Sequence, residues 1–289
     1  MKIKIFQKGF NYSEDGIGNR LVYHLQGCNM RCPWCANPEG MPVIPPLVLN
    51  EPQLLDSVCP YGAIINGSLD RSFCKSCASR DCITIHKNLG ITCKCEEYEI
   101  DDLVNEVKSC SPMFFDNGGI TLTGGEPTIQ FEAVFELLTK LKKAGIHTAM
   151  ETNGTHRRLS ELFVVIDQLM MDFKHYNSEI HKVFTGVSNE TIKANMEKAA
   201  DMRRPLFVRI PLINGFNASV KDIQHFIDFL KSMNTSLMSF EFLSYHEYGK
   251  EKWKQCGAKY EMRDAFVSAE TVKAFEQAFA ASGLHIIRT

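Results

Sequence analysis

The chain has 289 residues and a formal net charge of −2, so no general electrostatic attraction to nucleic acid or to an anionic membrane surface is expected. Its hydrophobic content of 44% is that of a globular protein, and no run of about 18 apolar residues offers a transmembrane helix. The first residues carry charges but no apolar stretch of signal-peptide length, which predicts a cytoplasmic protein of one large domain, or of one domain with a small insert.

Residues 1–20 lead into a cysteine motif. Ser13-Glu14-Asp15-Gly16-Ile17-Gly18-Asn19-Arg20 is a polar, turn-rich loop, either an ordinary surface turn or a substrate-facing loop with Asp15 as an acceptor. Residues 21–25 are apolar and predict a buried strand. Cys28, Cys32 and Cys35 follow directly, at spacing C-x3-C-x2-C. Three thiolates on one loop suit a soft metal or an iron–sulfur cluster. A cubane of four irons bound by three cysteines keeps one iron open to a ligand. The chain holds 11 cysteines, nine of them from Cys28 to Cys95, which scattered core thiols do not explain. A disulfide scaffold is disfavoured in a reducing compartment.

Pro42, Pro45, Pro46 and Pro52 mark a linker-like stretch. From about Cys59 to Cys95 the composition shifts to cysteine, glycine and small polar residues. Residues 48–98 are therefore expected to form a small insert, too short for a core of its own without metal or cross-links, within a larger domain of residues 1–47 and 99–289. Beyond it the pattern is regular. Helices are predicted from 99, through Ile100, Leu103, Val104 and Val107, and over 131–144, 159–166, 189–202, 220–233 and 269–281. Strands are predicted over 119–123, 146–150, 169–173, 206–212 and 237–243, with a short closing strand at 285–287. Such alternation argues for parallel strands joined by right-handed crossovers, in a barrel-like or doubly wound α/β fold. Ligands then gather at the C-terminal strand ends, where the polar motifs lie.

The strand at 119–123 runs into Gly124-Gly125-Glu126-Pro127, two glycines that admit close backbone approach followed by an acceptor; an ordinary β-to-α turn is the alternative. Later strands run into Glu151-Thr152-Asn153-Gly154 and Met170-Met171-Asp172-Phe173-Lys174. Glu151 and Asp172 suit either a cation site or a salt bridge at a barrel rim, and Lys174 suits a ligand carboxylate. Arg209, within an apolar strand, needs anionic partners, structural or substrate-borne. His246 lies in Tyr245-His246-Glu247-Tyr248-Gly249-Lys250-Glu251-Lys252-Trp253, where a loop can fold over a pocket or simply face solvent.

C-x3-C-x2-C followed by G-G-E-P resembles the radical S-adenosylmethionine (radical SAM) superfamily. D-G-x-G-x-R before the cysteines, C-x-N after them, E-T-N-G, D-F-K and Y-H-E-x-G-K-x-K-W resemble its glycyl-radical enzyme activating enzymes, pyruvate formate-lyase activating enzyme among them. The resemblance covers about residues 9–40 and 99–289. It implies a partial (β/α)6 TIM-like barrel of the radical SAM type with a small Cys-rich, ferredoxin-like insert. It also implies reductive cleavage of S-adenosylmethionine at a 4Fe–4S cluster. The resulting 5′-deoxyadenosyl radical takes a hydrogen from a glycine Cα of a partner enzyme, with a flavodoxin or ferredoxin as electron donor. By position, Cys28, Cys32 and Cys35 would ligate the cluster and Gly124, Gly125 and Glu126 would hold the methionine amine. Asn37, Lys174 and His246 would contact the carboxylate or ribose. Glu151, Thr152, Met170 and Asp172 match a monovalent-cation site, and Asp15 and Arg209 match residues that grip the partner's peptide loop. Ile17, Asn19, Glu151 and Ala36 depart from the usual proline, isoleucine, aspartate and histidine, which bears on the partner rather than the reaction. Alternatives are a radical SAM enzyme acting on a small molecule and an iron–sulfur electron carrier, the latter leaving G-G-E-P unexplained.

The insert resembles a shortened bacterial ferredoxin, with Cys59-Pro60 as the end of one cluster motif and Cys74-x2-Cys77-x4-Cys82 as the start of the next. By that likeness Cys59, Cys74, Cys77 and Cys82 would bind one auxiliary 4Fe–4S cluster, with Cys93 or Cys95 as substitute ligands and a structural zinc as the alternative. Cys110 and Cys256 read as isolated thiols.

Overall fold

The most apolar segments of the chain become the inner strands of one sheet, because a strand buried on both faces needs no alternation. The computed structural model describes residues 1–11, 14–50, 56, 59–74, 77, 79–85 and 90–288; Ser13 of the glycine-rich loop and Pro52 of the proline stretch lie outside them. In chain order the elements are β1 (Lys2–Asn11), β2 (Arg20–Leu25), β3 (Val48–Leu49), β4 (Ile64–Ile65), β5 (Ser68–Leu69), α1 (Arg71–Cys74), α2 (Asp81–Ile85), β6 (Ile91–Thr92), β7 (Glu96–Glu99), α3 (Ile100–Ser109), β8 (Gly119–Gly124) and α4 (Phe131–Lys143). They continue with β9 (Thr148–Thr152), β10 (Gln168–Asp172), α5 (Ser178–Thr185), α6 (Glu190–Asp201), β11 (Leu206–Leu212), α7 (Val220–Lys231), β12 (Met238–Ser244), α8 (Lys250–Gln255), α9 (Ala269–Ala281) and β13 (His285–Ile286).

Among the described residues, nine strands form one sheet in the order β13-β12-β11-β10-β9-β8-β2-β1-β7. Neighbours from β2 to β13 are parallel, whereas β1 pairs antiparallel with both β2 and β7. The six longer parallel strands, with helices between most of them, make the partial barrel expected from the alternation. Helix α4 shows how the cover is built: Phe131, Val134, Leu137, Leu138 and Leu141 fall on one face and are buried. Helix α7 is held at its start by a capping box between Ser219 and Asp222.

Four differences from the sequence reading stand out. The helix expected over 159–166 is a 3-10 helix that ends two residues earlier, Leu159–Val164, with Leu159, Leu162 and Phe163 buried. The strand expected from 146 begins at Thr148. Strand β1 appears where only a lead-in was expected, with Ile3 and Ile5 fully buried and Lys2 and Lys4 alternating with them. On its outer edge β7 aligns Glu97 and Glu99 with Lys4 and Lys2, and charges of this kind guard a sheet edge. Helices α5 and α8 were also not anticipated.

Between β2 and β7, β3 pairs with β6 and β4 with β5, and Leu47, Ile64, Cys82 and Ile91 form a small apolar cluster apart from the main core. No helix among the described residues is long and apolar enough to cross a membrane.

Candidate active site

Strand β2 delivers the cysteine loop. Gly27, at φ +100°, turns the chain out of the strand, and Gly27 N and Cys28 N donate to the carbonyls of Gly40 and Met41, both at 2.8 Å. The neighbouring tip of β8 is laced onto this turn. Gly125 N donates to Leu25 O at 2.9 Å and Glu126 N to Gly27 O at 2.7 Å. A Cβ on Gly125 would lie 2.3 Å from Gly27 O, so only glycine allows this approach.

The three thiols are free, and burial pushes Cys28 up to about 11 and Cys32 up to about 12; burial also raises Cys35. Each sulfur sits within the electrostatic reach of at least one of the other two and of the Lys174 ammonium. Donors already aim at sulfur: Met30 N at Cys28 Sγ and Asn37 N at Cys35 Sγ, each 3.4 Å, and Asn153 Nδ2 at Cys28 Sγ, 3.9 Å. Buried thiols with N–H groups pointing at them and a nearby cation suit an iron–sulfur cluster, whose sulfur ligands carry negative charge. The residues present fit such a group.

Glu126 faces into the protein. Its Oε1 accepts from Thr128 N (3.0 Å), Thr128 Oγ1 (2.6 Å) and Thr152 Oγ1 (2.7 Å), and its Oε2 accepts from Asn153 N (2.7 Å). It thereby ties the tip of β8 to the tip of β9.

The acidic and basic residues of the strand ends are paired with one another. Arg209 Nη1 donates to Glu151 Oε1 at 2.8 Å and Arg209 Nε to Glu241 Oε2 at 3.0 Å, while Nη2 donates to the Glu14 carbonyl. Burial acts against the charge on Glu151, but Arg209 overrides it and holds the carboxyl below its usual range. Burial likewise acts against the Lys174 ammonium, and Asp172, 2.6 Å away, and Cys32 more than offset it. Met170 lies opposite Glu151 and Asp172 opposite Arg209 in the sheet, so the four expected cation ligands Glu151, Thr152, Met170 and Asp172 do come to adjacent strand ends. Thr152, however, is engaged by Glu126 and Gly154. Asp15 accepts from Asn11 Nδ2 at 2.5 Å, and burial, reinforced by the charge of Glu151, raises its pKa to about 6. Arg20, fully buried, pins the glycine-rich loop through Ile17 O (2.9 Å) and the strand through Ile120 O (2.6 Å).

Asn37 is gripped from the far end of the chain, its Oδ1 accepting from Lys252 Nζ at 2.7 Å. His246 is half-buried, stacked on Tyr248 with ring centroids 4.2 Å apart, and senses the charge of Glu14. Sequence reasoning did not single out Asn153, Glu241, Lys252 or Trp253 as site residues. Asn153, Lys252 and Trp253 sit inside the quoted motifs, which was the available signal; Glu241, an acid within an apolar strand, was the natural counter-charge for Arg209.

In the insert, Cys59, Cys74, Cys77 and Cys82 line one cavity of about 360 Å³. Cys93 and Cys95 do not line it; Cys93 Sγ accepts from Arg80 Nη1 at 3.8 Å. Among the described residues no three His, Cys, Asp or Glu side chains converge tightly enough to grip a single metal ion.

The Radical SAM superfamily model matches residues 22–230. The 4-hydroxyphenylacetate decarboxylase activating enzyme of Clostridioides difficile (strain CD196) is 34% identical, with 93% of this chain and 90% of that protein aligned. The pyruvate formate-lyase-activating enzyme of Staphylococcus aureus (strain USA300) is 28% identical, over 86% of this chain and 84% of the relative. A radical SAM methyltransferase from Sphaerobacter thermophilus shares the fold, with TM-score 0.55 and 13% identity over 93% of this chain and 66% of its own. With three thiols on the loop after β2, G-G-E-P laced to it and relatives of this kind along its length, the chain belongs to the radical SAM superfamily, among the glycyl-radical enzyme activating enzymes.

Proposed function

We propose that this protein activates a glycyl radical enzyme by generating a radical from S-adenosylmethionine at the tips of its parallel strands. When bound, the 4Fe–4S cluster supplies one electron to S-adenosylmethionine, which splits into methionine and a 5′-deoxyadenosyl radical able to take hydrogen from a glycine Cα. The observation that carries this reading is the lacing of Gly125 and Glu126 onto Leu25 and Gly27, which sets a side-chain-free edge beside the loop of three thiols that would hold the cluster.

Cys28, Cys32 and Cys35 hold the cluster in this reading. Gly124, Gly125 and Glu126 receive the methionine amine, and the Glu126 carboxylate keeps their strand tip fixed through its bonds to Thr128, Thr152 and Asn153. Lys174, whose charge reaches all three thiols, binds the ligand's carboxylate with Asn37, and His246 lies toward the ribose. Asp15 and Arg209 receive the partner's peptide loop. A monovalent cation at Glu151, Thr152, Met170 and Asp172 would share Glu151 with Arg209 and Asp172 with Lys174.

Cys59, Cys74, Cys77 and Cys82 hold a second cluster. All four line one cavity of about 360 Å³, in keeping with the ferredoxin-like spacing of the insert. The electron donor is a flavodoxin or ferredoxin, and the protein works in the cytoplasm. The partner is chosen by test: the relatives' names give 4-hydroxyphenylacetate decarboxylase and pyruvate formate-lyase as first candidates. Anaerobic incubation of the iron-loaded protein with S-adenosylmethionine, reductant and each candidate should give a glycine-centred doublet in the spin-resonance spectrum with one of them. Cofactor cleavage without a doublet from any glycyl radical enzyme overturns the reading.

A further inference from the structure

One short segment touches both cysteine-rich regions. On one side, Trp253 Nε1 donates to Cys35 O at 2.9 Å, and Lys252 Nζ donates to Asn37 Oδ1 at 2.7 Å while lying 3.1 Å from Glu39 Oε1. A Cβ on Gly249 would fall 2.4 Å from Cys35 O, so helix α8 begins in direct backbone contact with the cysteine loop. On the other side, Arg71 of the insert donates through Nη2 to Gln255 O at 2.8 Å and through Nη1 to Leu47 O at 2.7 Å. A Cβ on Gly257 would meet Arg71 Nε at 2.0 Å. Arg71 starts α1, the helix that ends in Cys74.

The charges at this junction are unusual. Glu39 is 3% exposed, and its carboxylate oxygens have no hydrogen-bond partner of good geometry among the described residues. Lys252 is its counter-charge. Both charges are felt at the Cys35 sulfur, in opposite senses.

We propose that Lys252 and Trp253 are positioning residues for the cluster carried by Cys28, Cys32 and Cys35, and that Arg71 anchors them to the Cys-rich insert, so that α8 links the two cysteine regions. This rests on the reading of that loop as the cluster loop. A reduced cluster carries one more negative charge than an oxidised one, so a nearby cation favours reduction and a nearby carboxylate opposes it. A hydrogen bond to the ligand residue's own carbonyl fixes the orientation of its sulfur.

The test uses the iron-loaded full chain. The midpoint potential and the spin-resonance spectrum of the SAM-responsive cluster are measured in wild type, Glu39→Gln, Lys252→Met, Lys252→Arg, Trp253→Phe and Arg71→Ala. Glu39→Gln should raise the potential, Lys252→Met should lower it, and Lys252→Arg should stay near wild type. Trp253→Phe and Arg71→Ala should alter the spectral change produced by S-adenosylmethionine in the same sense. A purely structural role would not split the two charge variants by sign. If Lys252→Met loses its iron, Glu39→Gln alone decides: an upward shift supports the proposal and no shift overturns it. An Arg71→Ala spectrum identical to wild type overturns the link to the insert. A wild type with no SAM-responsive cluster instead overturns the underlying reading of the loop.

Discussion

Arg209 and Glu151 form a buried ion pair, Nη1 to Oε1 at 2.8 Å, that joins β11 to β9, and Glu241 on β12 takes the arginine's Nε at 3.0 Å. One cation is therefore shared by two carboxylates. Arg209→Ala should cost about 3–5 kcal/mol, because it takes the guanidinium from two buried carboxylates at once. Arg209→Lys should cost less, since an ammonium still answers part of the charge but cannot present two donor edges. Urea unfolding of the variants at neutral pH checks both values, and equal stability of wild type and Arg209→Ala would contradict the network's role.

Glu126→Gln should act on geometry. The carboxylate accepts from four donors, and an amide offers only one oxygen, turning its nitrogen toward donors. A stability loss of roughly 1–3 kcal/mol is expected, with S-adenosylmethionine bound about tenfold more weakly as the β8 tip loosens. Equilibrium unfolding and calorimetric titration read the two effects separately.

Asp15 predicts a pH dependence of defined sign. Its pKa rises on folding from 3.8 to about 6, mainly through burial and then through Glu151. Between about pH 4 and pH 6 the folded protein retains a proton that the unfolded chain releases, so this group's contribution to stability falls as pH rises and levels off above pH 6. The full effect is on the order of 2–3 kcal/mol. Asp15→Asn should match wild type near pH 4 and exceed it at pH 7. Unfolding midpoints of the pair at both pH values provide the test, and a constant difference would show that Asp15 does not titrate in this window.

The two cysteine regions should separate by mutation. Cys32→Ala should abolish cleavage of S-adenosylmethionine. Cys77→Ala should lower the iron content while keeping the SAM-responsive cluster, since Cys77 lines the insert cavity, which Cys28, Cys32 and Cys35 do not line. Iron analysis and cleavage assays on the two variants distinguish these outcomes.

Strands 206–212 and 169–173 were legible because parallel strands covered on both faces are largely apolar, with Arg209 and Asp172 as the exceptions. Strand β1 was not, although Lys2-Ile3-Lys4-Ile5 alternates: half-solvated strands give a weaker signal than buried ones. The helix at Leu159–Val164 was legible from its buried side chains at 159, 162 and 163, but not its 3-10 type, because that spacing satisfies either helical geometry. The site residues were legible as types and positions, not as orientations. Nothing in G-G-E-P says that Glu126 turns inward, and nothing local to Trp253 says that its N–H reaches Cys35, 218 residues away. Arg209 demanded a counter-charge, but its sharing between Glu151 and Glu241 is a property of neighbouring strands, invisible until they are side by side.

The contact of α8 with the cysteine loop also bears on how the protein is made. Lys252 is separated from Asn37 by 215 residues, so the loop near the N-terminus receives its last hydrogen bonds only after nearly the whole barrel has been synthesised. A nascent chain thus exposes Cys28, Cys32 and Cys35 long before α8 exists to hold their loop, and contacts this distant in sequence are slow to form. Maturation of the cysteine loop is accordingly a late event, coupled to completion of the fold and not to emergence of the motif.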